Sequence, residues 1–431
     1  MPISMERIQS QQSTVGVVGL GYVGYPLALL FAEAGFSVIG FDIDANKVAS
    51  INEGKGYIRH IPESRMQAVW SQGKIRATRD FASAADCDAI LIFFPTPLNK
   101  NLEPDLQFIE TTCRALAPHL QPGTLVSLES TTWPGTTHEI VAPLLTSQDL
   151  KIGETLFLCF SPEREDPGNE KYQTRNIPKL VGADDPVSLD LAVALYSQAI
   201  EEIVPVSSTR VAEAAKLFEN VFRSVNIALV NELKVILNAM QIDVGEVLRA
   251  AATKPFGFMS FWPGPGLGGH CIPIDPYYLA WKAKEYGVPT RFIELAGEIN
   301  RSMPRWVVSK VQDCLNDHGK AVKGSKLLIL GLAYKPDVDD MRESPTLELI
   351  RLLEEKGASV DYHDPYIPIL PSTREYATLM GRPSKPLSKC YDCFILSTRH
   401  SCFTAVEILS YETPVVDTRH LLPLHPLVYS A

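Results

Sequence analysis

Residues 15–42 read VGVVGLGYVGYPLALLFAEAGFSVIGFD. An apolar, β-rich run over 15–20 leads into glycines. A helical stretch follows from Pro26 to Ala34, and a second short strand, 37–41, ends on Asp42. Gly19-Leu20-Gly21-Tyr22-Val23-Gly24 matches G-x-G-x-x-G. The motif alone is weak, since glycines gather at many turns, but here a strand, a helix and a downstream acid supply its context. Gly19 permits the tight turn, Gly21 the approach of a pyrophosphate and Gly24 the close contact of helix and sheet. The helix N-terminus offers N–H groups and a positive dipole end to phosphates. Asp42 stands 18 residues beyond Gly24, near the roughly 20 expected of the acid that accepts from the ribose hydroxyls. A carboxylate there repels a 2′-phosphate, so NAD is expected rather than NADP. The competing reading is a glycine turn of another α/β fold.

Further apolar runs at 89–94, 125–128 and 156–160 alternate with helical segments, the grammar of a parallel sheet covered by helices. From Thr209 to Met240 the chain has no Gly or Pro. Val211, Ala215, Phe218, Phe222, Val225, Leu229, Leu233, Ile236 and Met240 recur there at helical spacing. Such a helix reaches roughly 45 Å, long enough to bridge two domains. After about Asp317 the α/β grammar restarts, with strands at 326–331, 359–362, 392–397 and 414–417 and a helix at 345–356. The expected architecture is α/β: two Rossmann-like parallel-sheet domains, 1–205 and 318–431, joined by a helical centre, 206–317.

Composition narrows the function. The chain has 431 residues, 45% apolar and 21% charged, with 40 basic against 50 acidic side chains. This is a globular balance that can bury a sizeable core. A net charge of −10 argues against a nucleic-acid or anionic-membrane partner. No run approaches the roughly 20 apolar residues of a bilayer span, and the first residues lack the apolar centre of an export signal. Eight cysteines do not make a disulfide scaffold, so a cytoplasmic protein is expected. Cys390-x-x-Cys393 lacks a second ligand pair for zinc, and Cys393 opens an apolar strand; no metal site is expected.

Three segments carry candidate chemistry. Gly264-Pro265-Gly266-Leu267-Gly268-Gly269-His270-Cys271 sets four glycines before a cysteine. Backbone at Gly266 and Gly268 can approach a ligand closely, Cys271 can serve as a nucleophile, and Asp275 follows four residues later. A buried cysteine in a Gly/Pro loop is an equal reading of that segment alone. On the long helix, Lys216, Asn220 and Arg223 fall at i, i+4 and i+7, one face that can hold an oxyanion or a water; a solvated polar stripe is the plainer alternative. Ser161-Pro162-Glu163-Arg164-Glu165-Asp166-Pro167-Gly168 follows the strand ending at Phe160. Ligands of open α/β sheets bind outside the carboxyl ends of strands, so a carboxylate there can act as a base, and Thr96 and Thr131 line the cofactor.

Together these segments resemble the UDP-glucose/GDP-mannose dehydrogenase family over essentially the whole length. GLGYVG, PTP at 95–97, STT at 130–132, SPEREDPGN at 161–169, the helix AEAAKLFENVFRSVNIALVNE, GPGLGGHCIPIDP and GLAYKPDVDDMRESP at 331–345 occur in order. The resemblance implies that Cys271 is the nucleophile, with Lys216, Asn220 and Asp275 around its thiohemiacetal and water. It makes Glu163 the hydrolytic carboxylate and places Thr131 near cofactor and water. It puts Lys335 on the substrate, Arg342 on the cofactor, Arg419 on sugar or phosphate, and Lys47 near the adenosine ribose. Arg164 and Arg223 join the expected substrate set.

The implied reaction takes the C6 alcohol of a UDP-sugar through two NAD-dependent oxidations to a carboxylate, by way of a cysteine thioester. EREDPGN replaces the Phe-Leu stretch of the UDP-glucose enzymes and resembles the branch acting on UDP-N-acetylhexosamines, UDP-N-acetylglucosamine foremost. Glu165 receives no role. A homodimer or higher homo-oligomer is implied. UDP-glucose, UDP-N-acetylmannosamine or UDP-N-acetylgalactosamine as substrate, a single two-electron oxidation, and a non-catalytic NAD-binding regulator stand as alternatives. The set Cys271, Lys216 and Glu163 speaks against the last two.

Overall fold

A computed structural model describes residues 2–58, 61–165, 171–373 and 376–431. Asp166, Pro167 and Gly168 of the acidic segment lie outside them. The chain divides into two compact units, Met1–Glu219 with Tyr277–Gly287, and Asn220–Pro276 with Val288–Ala431.

The first unit holds an eight-stranded sheet. Its strands are β1 (Thr14–Val18), β2 (Ser37–Phe41), β3 (Ile75–Thr78), β4 (Ala89–Ile92), β5 (Thr124–Leu128), β6 (Leu156–Phe160), β7 (Lys179–Ala183) and β8 (Ile203–Val206). The order is β3-β2-β1-β4-β5-β6-β7-β8. The order reverses across β1, which leaves a crevice outside the strand ends where doubly wound sheets bind ligands. Strands β4 to β7 are buried at every residue, as strands covered on both faces must be. The sheet departs from the expected all-parallel pattern once: β7 runs antiparallel to β6 and parallel to β8.

Helix Gly24–Glu33 is apolar on every side because it is buried from Gly24 to Ala32. Asp44 caps the helix Ala45–Asn52, and Asp185 with Pro186 opens Pro186–Tyr196; each cap satisfies an N–H that the first helical turn leaves free.

The second unit holds β9 (Lys326–Leu330), β10 (Ser359–His363), β11 (Cys393–Leu396), β12 (Val415–Asp417) and β13 (Val428–Ser430). All are parallel, in the order β10-β9-β11-β12-β13. Helices Arg291–Asp317 and Pro345–Glu355 cover it with Val307, Val311, Leu347 and Ile350. Cys393 is buried with its Sγ 3.7 Å from that of Cys314, while Cys390 is exposed.

The long helix runs Thr209–Ala239, one residue short of the expected end. Its apolar stripe behaves differently from a core stripe: Phe218 is 67% and Leu229 59% exposed, and Val211, Phe222, Ile236 and Met240 are exposed too. The buried side is partly polar, with Glu213, Lys216, Asn220, Ser224, Asn231 and Lys234 all covered. Among the described residues no helix is long and apolar enough to cross a membrane.

Candidate active site

In the first unit the three glycines separate by what surrounds them. Gly19 has φ +91, and a Cβ there would stand 2.3 Å from the Phe93 carbonyl oxygen. A Cβ on Gly24 would stand 1.9 Å from the Gly19 oxygen, whereas one on Gly21 would meet nothing within 4 Å. Gly19 and Gly24 thus close the turn, and Gly21 leaves open the space a pyrophosphate takes. Asp42 completes the cradle. Its Oδ2 accepts from the Leu20 N–H at 2.9 Å and from Lys47 Nζ at 3.0 Å. Leu20 is buried, and its carbonyl accepts from Tyr57 Oη at 2.8 Å; Tyr22 and Val23 are half-buried. The residues fit a bound dinucleotide.

Two loops flank the cradle. Thr96 is buried after β4, and half-buried Thr131 follows β5. Ser130 Oγ joins the loops by accepting from the Phe94 N–H at 2.6 Å and donating to its carbonyl at 3.0 Å. From the long helix, buried Glu213 accepts from the N–H groups of Gly135 and Thr137 at 2.5 and 2.9 Å and from Thr137 Oγ1 at 2.6 Å. Burial pushes its carboxyl up to about 7, against those three donors. Residues 277–287 belong to this unit, where Tyr278 Oη donates to the Pro97 carbonyl at 3.2 Å. Lys282 pairs there with Glu139 at 2.7 Å.

Glu163 lies just beyond β6. Its Oε1 accepts from the N–H groups of Arg164 and Glu165, both at 2.8 Å. Its Oε2 lies 3.4 Å from Lys179 Nζ, which also donates to Glu129 Oε2 at 2.8 Å. Arg164, expected on the substrate, is engaged by Glu219 and by the Pro178 carbonyl. Glu129 and Lys179 escaped the sequence reading. The available signal was a charged residue directly after one mostly apolar strand run and another opening a second. Lys216 is buried on the first unit's portion of the long helix.

In the second unit, half-buried Cys271 occupies the turn that starts the helix Asp275–Glu285, its carbonyl accepting from the N–H groups of Ile274 and Asp275 at 3.1 and 2.8 Å. Buried Asp275 accepts from Asn220 Nδ2 at 2.5 Å. The glycines before the cysteine are required by the loop 331–345. A Cβ on Gly268 would stand 2.6 Å from Tyr334 Cβ, and Gly269, at φ +88, would meet the Tyr334 ring at 2.9 Å. The Gly269 N–H donates to the Arg342 carbonyl at 2.9 Å.

Arg342, expected at the cofactor, is paired with Asp340 at 2.6 Å and acts electrostatically on Cys271. Burial, with Arg342 adding to it, pushes His270 down to about 4 and keeps its ring neutral. Lys335 is half-buried in a loop held by Asp364, which accepts from the N–H groups of Leu332 and Ala333.

A pocket of about 130 Å³ opens beside these glycines, lined by Trp262, Gly264, Gly266, Gly268, Tyr334 and Arg419 among others. Arg419 Nε donates to the Ser397 carbonyl at 2.5 Å, and burial pushes the guanidinium down to about 10, partly opposed by Asp417. Lys234 Nζ donates to the Gly264 carbonyl at 2.9 Å; burial, then Arg419, pushes it down to about 7. A guanidinium and a lysine amine beside one glycine suit an anionic ligand. Arg223 does not join this set: it is exposed, unlike Lys216 and Asn220 on the same helix.

Three family models match the chain in order. The UDP-glucose/GDP-mannose dehydrogenase NAD binding domain matches 13–200, the central domain 210–302 and the UDP binding domain 328–423. The chain is 35% identical over 392 residues to the UDP-N-acetyl-D-glucosamine 6-dehydrogenase of Pseudomonas aeruginosa, covering 90% of this chain and 91% of the relative. It is 34% identical to the NDP-N-acetyl-D-galactosaminuronic acid dehydrogenase of Ralstonia solanacearum, over 96% of this chain and 98% of that one. The solved UDP-D-ManNAc dehydrogenase of Pyrococcus horikoshii superposes with a TM-score of 0.85 at 29% identity, over 96% and 97% of the two chains.

Proposed function

Because the chain belongs to the UDP-glucose/GDP-mannose dehydrogenase family, we propose that this NAD-dependent nucleotide-sugar dehydrogenase oxidises the C6 hydroxyl of a UDP-N-acetylhexosamine, UDP-N-acetylglucosamine foremost, to the uronate. The observation that carries the reading is Cys271 at the end of a glycine run, with the buried Asn220–Asp275 pair beside the same turn. Relatives named for N-acetylglucosamine, N-acetylgalactosaminuronate and N-acetylmannosamine support an N-acetylated sugar.

NAD+, when bound in the cradle of Gly19 to Gly24 and Asp42, accepts a hydride in each of two oxidations. The protein's part is to convert an aldehyde into a second hydride donor. Cys271 thiolate adds to the aldehyde carbon, and Lys216 and Asn220 hold the oxyanion that forms. Loss of the second hydride leaves a thioester on Cys271. Glu163 takes a proton from water, the water oxygen bonds to the acyl carbon, and the C–S bond breaks to return the thiolate. The sum is alcohol, two NAD+ and water to carboxylate, two NADH and three protons. Arg419, Lys335 and the glycine backbone hold the UDP-sugar in this reading.

The uronate feeds polysaccharide synthesis, the enzyme works in the cytoplasm, and it assembles as a homo-oligomer through the exposed stripe of the long helix. Comparing kcat/KM for UDP-N-acetylglucosamine, UDP-N-acetylgalactosamine, UDP-N-acetylmannosamine and UDP-glucose tests the substrate; UDP-N-acetylglucosamine is expected to lead. Cys271→Ser tests the route: it should bind both ligands yet yield no acid above background.

A further inference from the structure

Behind Glu163 lies a buried group for which the reaction just described has no use. Lys179 opens β7 with its side chain 4% exposed, and Glu129 follows β5 at 0%. The ammonium donates to Glu129 Oε2 at 2.8 Å and lies 3.4 Å from Glu163 Oε2, 3.4 Å from the Ser161 carbonyl and 3.4 Å from the Pro162 carbonyl. Glu129 Oε1 accepts from Tyr196 Oη and from Ser127 Oγ, the latter at 3.3 Å. One cation therefore stands between two carboxylates, and only one of them, Glu163, reaches the loop at the strand end.

A lysine needed only to neutralise Glu129 would be satisfied by that partner. Its remaining donors instead point along the backbone of 161–163 to the far carboxylate, so its charge is divided. Burial works against the ammonium, and the two carboxylates more than offset this, so it stays charged. Among the described residues, the ionisable groups near Glu163 include Arg164 and Glu165 on its own loop, Glu219 of the long helix through Arg164, Arg65 acting on Glu165, and Cys159 and Tyr196 facing Glu129 and Lys179.

We propose that Lys179 is the positioning residue of the thioester hydrolysis: it fixes the Glu163 carboxylate at the end of β6, while Glu129 holds the lysine in place. This rests on the reading of Glu163 as the base. Without Lys179, the Glu163 carboxylate keeps the two backbone donors on Oε1, and its Oε2 loses the buried ammonium that fixes it. Without the charge of Glu129, the ammonium still has Glu163 and the carbonyls of Ser161 and Pro162 within reach.

The test is the rate of acid release in a single turnover, with intact-mass detection of the acyl-enzyme, on the full chain with UDP-N-acetylglucosamine and NAD+. Lys179→Met should slow acid release by about 10- to 100-fold and accumulate acyl-enzyme. Lys179→Arg should restore release, and Glu129→Gln should slow it less than Lys179→Met. KM for the sugar and for NAD+ should stay unchanged in all three. Should Lys179→Met fail to fold, Lys179→Gln carries the test. Acid release at the parent's rate without Lys179, or no rescue by Lys179→Arg, would overturn the proposal. Glu163→Gln separates this from the underlying reading: it should stall as acyl-enzyme, and continued acid release by that variant would remove the base itself.

Discussion

Asn220 Nδ2 donates to Asp275 Oδ2 at 2.5 Å, and both side chains are buried, at 8% and 2% exposure. The bond links the long helix to the first residue of the helix that follows Cys271. The Asn220 amide is thereby held in one orientation, with its carbonyl oxygen and remaining N–H fixed. An oxyanion hole depends on such fixing, because donors already in place need no reorganisation during the reaction. Asp275→Asn should lower kcat by about 100-fold with KM for the UDP-sugar little changed. A rise in KM at constant kcat would show that the pair serves binding only.

Gly21 and Gly24 should fail differently when a methyl is added. At Gly24 a Cβ would collide with backbone at 1.9 Å, while at Gly21 it meets only open space. Gly24→Ala should lose about 1–3 kcal/mol of stability, the usual cost of overpacking. Gly21→Ala should unfold like the parent yet bind NAD+ more weakly. Denaturation curves and NAD+ titration of both variants distinguish the two roles.

Lys234 should make stability depend on pH. Burial pushes its pKa down to about 7 in the folded protein, below the ordinary lysine value of 10.5. Burial of the charged lysine therefore costs stability in full below pH 7. The cost fades as pH rises from 7 towards 10.5, because the unfolded chain binds the extra proton across that window. Lys234→Met removes the group, so its melting temperature relative to the parent should be most favourable near pH 6 and should fall steadily to pH 10. A pH-independent difference would mean that Lys234 is not a depressed lysine.

The exposed stripe of the long helix should be the oligomer contact. Leu229, at 59% exposed, lies between Phe222 and Ile236 on that stripe. Leu229→Glu places a charge there and should shift the protein to monomer in sedimentation equilibrium while leaving the monomer folded. An unchanged assembly would exclude the stripe.

Much of the fold was legible because parallel strands buried on both faces read as continuous apolar runs, and because Gly19 to Gly24 sit between strand, helix and Asp42. The length of the long helix was legible too, but not which side it buries. Periodicity finds a stripe without telling whether chain or partner covers it. Here the covered side is polar because each group has a partner far away in sequence: Glu213 at Gly135 and Thr137, Asn220 at Asp275, Asn231 at Asn300, Lys234 at Gly264. The reversal of β7 and the membership of 277–287 in the first unit were hidden for the same reason. Lys179 and Glu129 each resemble a stray charge at a strand end until the fold puts them 2.8 Å apart.

The central claim is a double oxidation through Cys271, and the count of NADH formed per UDP-N-acetylglucosamine consumed, with sugar limiting and NAD+ in excess, tests it most directly. Two NADH per sugar is the predicted result. One NADH per sugar would mean that oxidation stops at the aldehyde, and would contradict the thioester role given to Cys271.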